Sequence, residues 1–181
     1  MTWPWSSSSG TAEIGCKGLG SPGGSSGRAW ERRSALEEAV AEHPRATVAG
    51  CFEGRFAAIS GQLAVREILT GPRRELPDAI ICGNDQTAIG TMRELQAAGI
   101  RVPADVGVVG FDDMHLSALL APPLTTVRQP MRLMGERACS LLLERIADPA
   151  LPPRTECLPT ELVIRESCGC HPNPAPAPGQ N

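Results

Sequence analysis

The sequence has no tyrosine, only three phenylalanines and three tryptophans, and a single lysine, Lys17, among its 17 basic residues. With so few rings to anchor a core, aliphatic side chains must fill it. Clustered lysine and arginine are missing too, and with a net charge of −3 nothing points to a phosphate-binding surface. No apolar run approaches the ~20 residues needed to span a bilayer. The opening stretch, MTWPWSSSSG, lacks a basic segment followed by an apolar run, so it does not read as a secretory signal. A soluble, cytoplasmic protein with no membrane partner is expected. No nucleophile–base pair emerges: His43, His115 and His171 lie in unrelated contexts, and no serine sits in a nucleophile elbow. Gly107 and Gly110 fall within an apolar run rather than opening a helix, so they form no dinucleotide loop. Asp112 and Asp113 have no acid–base partner in view. The chain is therefore not expected to be an enzyme or to need a cofactor.

Cysteine is present but scattered, at positions 16, 51, 82, 139, 157, 168 and 170. An odd count without a secretion signal points to a reducing compartment. Cys82 and Cys139 read as small core residues of a strand and a helix. Cys168, Cys170 and His171 resemble half of a metal site, but no second cluster completes the four ligands of a structural zinc. No metal is expected.

What is present is concentrated between Pro77 and Val127. A short apolar run, Ala79 to Cys82, ends in Gly83, Asn84 and Asp85. Ile89, Met92, Leu95 and Gln96 follow at helical spacing, and Gly99 stops the helix where a left-handed turn is common. A second apolar run, Val106 to Phe111, ends in Asp112 and Asp113. Strand, helix and strand make a βαβ unit, which implies an α/β fold: a parallel sheet flanked by helices in three layers. Ligands of open α/β sheets bind at the carboxyl ends of strands. Asn84 and Asp112 should share that edge, where an amide and a carboxylate offer donors and acceptors suited to neighbouring hydroxyls, as on a sugar. The competing reading is that Asn84 or Asp85 caps the helix and Asp112 closes a turn.

Three motifs, PDAIICGNDQTAIGTMRELQAAGIRVPADVGVVGFDD, PPLTTVRQP and LPTELVIRES, stand in the order and spacing of the LacI family of bacterial transcriptional regulators, which the chain resembles over Asp78 to Ser167. The resemblance implies one subdomain of a periplasmic-binding-protein-like (type I) fold, spanning 27–169. It also implies a small effector, a sugar or nucleobase, bound in a cleft between two subdomains. A DNA-reading head and a first subdomain would precede this stretch in a family member and are not found, so this chain alone is not expected to read DNA; DNA is a partner of the full-length family member only. A half-cleft is expected to bind its effector weakly or not at all. A sugar-binding protein of an uptake system is the alternative with the same fold.

The resemblance also assigns residues. The family places an effector-gripping arginine at the start of the first helix, and Arg28 stands there. A Gly–aromatic pair usually follows three residues on; here Glu31 and Arg32 replace it. An aromatic five residues before a glycine lies against the effector in the family, and Phe56 and Gly61 have that spacing. Arg28, Phe56, Asn84 and Asp112 are thus the expected effector wall. Ile89 and Arg93 on the helix, with Leu116, Leu119 and Leu120 in the apolar connection after it, are the expected surface of a homodimer. The alternative for those leucines is a plug for the domain's own core.

At the ends, residues 1–26 are rich in serine and glycine and are expected to be a disordered leader, and 170–181 a Pro-rich mobile tail. Helix 131–147 would belong with the first subdomain of the family.

Overall fold

Two alternating apolar pairs, Ile80 with Cys82 and Val106 with Val108, are almost fully shielded from solvent, and the fold is assembled around them. The computed structural model describes residues 12–17, 27–71 and 76–170, with the side chains of 12–17 and 27–30 left aside. In chain order the elements are β1 (Ala12–Lys17), α1 (Gly27–Ala41), β2 (Ala46–Phe52), α2 (Ala58–Thr70), β3 (Ala79–Cys82) and α3 (Asp85–Ala97). Then follow β4 (Gly107–Val109), a 3-10 turn at His115–Leu119, β5 (Thr126–Arg128), α4 (Met131–Ala147) and β6 (Glu161–Val163). Four parallel strands run in the order β2-β1-β3-β4. The chain continues the sheet beyond β4: Gly110 N–H donates to Thr125 O and Asp112 N–H to Val127 O, both at 2.9 Å. β5 then pairs antiparallel with β6.

This is the expected α/β architecture, with one correction. Residues 12–17 of the supposed leader are β1, which lies between β2 and β3 in the sheet. Serine and glycine on both sides hid a six-residue strand whose apolar positions, Ala12, Ile14 and Cys16, alternate. The rest of the leader, and the tail from 171 on, lie outside the described residues. A second correction follows from the first. Cys51 is disulfide-bonded, where the odd count without a secretion signal pointed to a reducing compartment. In the β1–β2 register its backbone lies opposite Cys16. Cys82 is buried as expected; Cys139, read as a core residue, is exposed on α4.

The core joins Val65 of α2, the β3 and β4 residues above, Ala88, Met92 and Leu95 of α3, and Leu124. It is aliphatic throughout, and each fully buried valine or leucine contributes about 1.5–3 kcal/mol over its exposed state. α3 ends as foreseen, with Gly99 at φ 77°. Two glycines let α2 and α3 approach closely. A Cβ on Gly61 would sit 2.2 Å from the Thr87 carbonyl oxygen, and one on Gly90 would sit 1.8 Å from that of Ala58. α4 differs from the other helices with described sides, because none of its residues is buried.

The glycine contact predicts a contrast. Gly90→Ala pushes a methyl into backbone and should lose about 1–3 kcal/mol or more of stability in urea unfolding. Gly135→Ala, on α4 with nothing within 4 Å, should be neutral or gain up to about 1 kcal/mol from helix propensity. Equal midpoints for the two variants would refute the tight α2–α3 crossing.

Candidate functional site

β3 and β4 are parallel neighbours, with Ala79 to Ile81 facing Gly107 to Val109, so their carboxyl ends open onto one edge. Asn84 and Asp112 both lie at that edge. The two connections are tied together where Asp85 N–H donates to Phe111 O at 2.7 Å.

Asn84 spends its oxygen and one of its two amide donors on the protein. It is the N-cap of α3, its Oδ1 accepting from Thr87 N–H at 2.9 Å and from Thr87 Oγ1 at 2.7 Å. Its Nδ2 donates to the carbonyl of Phe56 at 3.0 Å. The capping alternative therefore describes its oxygen, and its nitrogen holds the loop that carries Phe56. Asp112 is half-buried. Its Oδ1 accepts from Gln129 Nε2 at 2.6 Å, and among the described residues its other oxygen has no partner. Burial pushes the Asp112 carboxyl above its ordinary range, the Gln129 hydrogen bond pulls against that, and the charge of Asp85 adds to it. Arg28 lies in the first turn of α1, and its side chain is outside the described part.

Three non-glycine residues have left-handed backbone: Phe56 (φ 52°), Asp112 (φ 118°) and Asp113 (φ 55°). Such conformations cost on the order of 1–3 kcal/mol and persist only where the surroundings enforce them, which is most often at functional sites. Here Asn84 enforces the first. The second and third are enforced by the Asp112 N–H bond to Val127 and by an ion-pair fork on Asp113. Arg165 Nη2 reaches Asp113 Oδ1 and Arg128 Nε reaches Oδ2, each at 2.6 Å. Burial works against the Asp113 carboxylate, but these two hydrogen bonds outweigh it and hold the group below its usual range.

Two participants escaped the sequence reading. Gln129 reaches Asp112 from the start of α4, a contact no local pattern reveals. Arg32 lies over the Phe111 ring, 4.3 Å from its centroid; its spacing of four from Arg28, one helical turn, was the available signal.

Of the expected dimer residues, Ile89, Arg93 and Leu120 line one apolar groove of about 490 Å³, together with Met92 and Ile100. Leu116 and Leu119 stand exposed beside it in the sequence, at 47% and 67%, rather than plugging the core; Leu120 packs partly against it.

A parallel sheet flanked by helices, with polar side chains at its carboxyl edge, has the layout of the α/β domains in which ligands bind at that edge. The model of the periplasmic binding protein-like domain matches residues 8–168, and the chain belongs to that family. Within it, the similarity is to the effector-binding part of LacI-family regulators. The HTH-type transcriptional repressor PurR of Aliivibrio fischeri is 41% identical over 116 residues, covering 64% of this chain and 34% of that protein. The chain thus spans about a third of the length of such curated relatives. A LacI-family transcriptional regulator from Enterococcus faecalis, solved with bound ribose, superposes with a TM-score of 0.69 at 29% identity, covering 86% of this chain and 54% of its own. A dimeric Lac repressor gives a TM-score of 0.74 at 30% identity, covering 87% and 56%. Among the described residues, no helix is long and apolar enough to cross a membrane.

The state of Asp112 can be read from stability. Its folded carboxyl keeps a proton that the unfolded chain, near pKa ~3.9, has already released. Asp112 therefore subtracts from stability as pH rises through that range, and adds no such penalty below it. Asp112→Asn, which keeps an acceptor for Gln129, should raise the melting temperature relative to wild type at pH 7, with the gap closing towards pH 3. A gap independent of pH would show that Asp112 is not strained by its charge.

Proposed function

We propose that this chain senses a small polyhydroxylated effector, a sugar, for a LacI-family transcriptional regulator of the cytoplasm, and does no chemistry on it. The single observation that carries the reading is Asp112. It is a half-buried carboxylate on forbidden-side backbone, with one oxygen held by Gln129 and the other left for a donor. A structural carboxylate would be expected to use both. Phe56 supplies an apolar ring against which the C–H face of a sugar can rest. Asn84 serves this wall by positioning Phe56, and Arg28, at the start of α1, is assigned to the same wall. The ribose bound to the Enterococcus faecalis neighbour supports a sugar over a nucleobase. Operator binding belongs to the whole regulator and is assigned to no residue described above.

Titration calorimetry against ribose and common hexoses checks this. As expected of a half-cleft, wild type should bind only weakly, and Asp112→Ala should weaken that binding about tenfold further, as expected for a hydrogen bond to a charged group. Undiminished binding by Asp112→Ala would remove the carboxylate from the site.

We further propose that the groove of Ile89, Arg93 and Leu120, with Leu116 and Leu119, seats the same face of a second copy. Apolar surface of this kind is self-complementary in two-fold dimers, and one neighbour is a dimeric Lac repressor. Leu119→Glu should shift the chain to the monomer's elution volume on size-exclusion chromatography. If elution is unaltered, the surface lies elsewhere.

A further inference from the structure

The fold brings Arg32 of α1 against Phe111, the residue before Asp112. Its guanidinium carbon stands 4.3 Å from the centroid of the Phe111 ring, and Phe111 leads directly into Asp112. Stacking on a ring holds the guanidinium plane and leaves its edge donors free for an acceptor. The Nε atom is buried and, among the described residues, has no hydrogen-bond partner. A buried donor without an acceptor carries a desolvation penalty that nothing recovers. Asp112 is near enough for its charge to be felt, but burial is the larger influence on Arg32, and the two side chains form no ion pair among the described residues. The rim therefore presents a cation and an anion that do not neutralise each other.

Those two groups ask for opposite things of a ligand. A carboxylate with a free oxygen takes hydroxyl donors. A planar guanidinium takes an anionic acceptor, and a carboxylate matches its fork in geometry. A neutral sugar satisfies Asp112 and leaves Arg32 with weak acceptors. A sugar phosphate would bring close to two negative charges to one guanidinium beside Asp112, and the excess would be repelled. We propose that Arg32 makes this rim selective for a hydroxylated monocarboxylate, a sugar acid, its carboxylate on Arg32 and its hydroxyls on Asp112. This rests on the effector reading above and narrows its ligand class.

The test is a titration of the chain, followed by amide chemical shifts, with glucuronate, galacturonate and mannuronate and with the parent hexoses, at matched ionic strength. At least one uronate should bind about tenfold or more tightly than its hexose. Arg32→Met, which keeps an apolar stem over Phe111, should bring that pair within about twofold, the change expected when a charge-assisted bond is lost. Arg32→Lys should keep part of the preference. Hexoses that match their uronates, or a preference that survives Arg32→Met, would overturn the assignment of Arg32 and leave the effector reading standing. If no sugar of either kind binds and Asp112→Ala changes nothing, the effector reading fails and this inference fails with it.

Discussion

The carboxylate of Asp85, sealed from solvent, ties together stretches that the chain brings back from far apart. Its Oδ2 accepts from Met114 N–H at 2.8 Å and from Ser117 Oγ at 2.5 Å, and its Oδ1 from Thr126 Oγ1 at 2.5 Å. One side chain at the start of α3 thus fixes the 3-10 turn and β5, and with them both ends of the segment that contains Asp112 and Asp113. Burying a charge is strongly unfavourable unless hydrogen bonds replace its water, and here three donors do so. Gly110 makes the arrangement possible, since a Cβ there would meet Asp85 Oδ1 at 2.2 Å. The placement of the rim follows from this knot and not from local preference.

Local preference in fact opposes the rim. Phe56, Asp112 and Asp113 all adopt backbone that side chains avoid, and each is held there by a bond from a neighbouring element. Asn84 illustrates the division of labour. A residue that caps a helix with its oxygen and clamps a loop with its nitrogen keeps one N–H donor to spare; its main contribution is to hold the backbone of Phe56 in place. Asp113 likewise is consumed by two arginines. Of two adjacent acids, only Asp112 keeps an oxygen unclaimed among the described residues, so their identical side chains differ in what surrounds them.

The β3–α3–β4 unit was legible because its signals are local: two apolar runs, helical spacing between them, an N-cap before and Gly99 after. The shared edge of Asn84 and Asp112 followed from parallel pairing alone. β1 was not legible, because six residues without a strong apolar pattern sit in a Ser- and Gly-rich context. Its place in the sheet comes from pairing on both sides, to β2 and β3, a tertiary effect that overrides weak propensity. The disulfide at Cys51 stayed hidden for the same reason. At the site, the roles of Gln129 and Arg32 depend on contacts across 17 residues to Asp112 and from α1 to the end of β4. No window of sequence contains both partners.

α4 raises a different question of balance. Met131, Leu133, Leu142, Leu143 and Ile146 are all exposed, so a helix of 17 residues contributes to the fold through its own hydrogen bonds and through surface pairs such as Arg132–Glu136 and Arg137–Glu156. Exposed pairs of this kind are each worth no more than about 1 kcal/mol, less than a single buried leucine would supply. The firm attachment is at its base, where Gln129, two residues before the helix begins, holds Asp112. Gln129 occupies one oxygen of Asp112, so a donor to the other oxygen would share the carboxylate with it. The carboxylate proposed above to meet the effector is thus also the one tied to the segment that leads into α4.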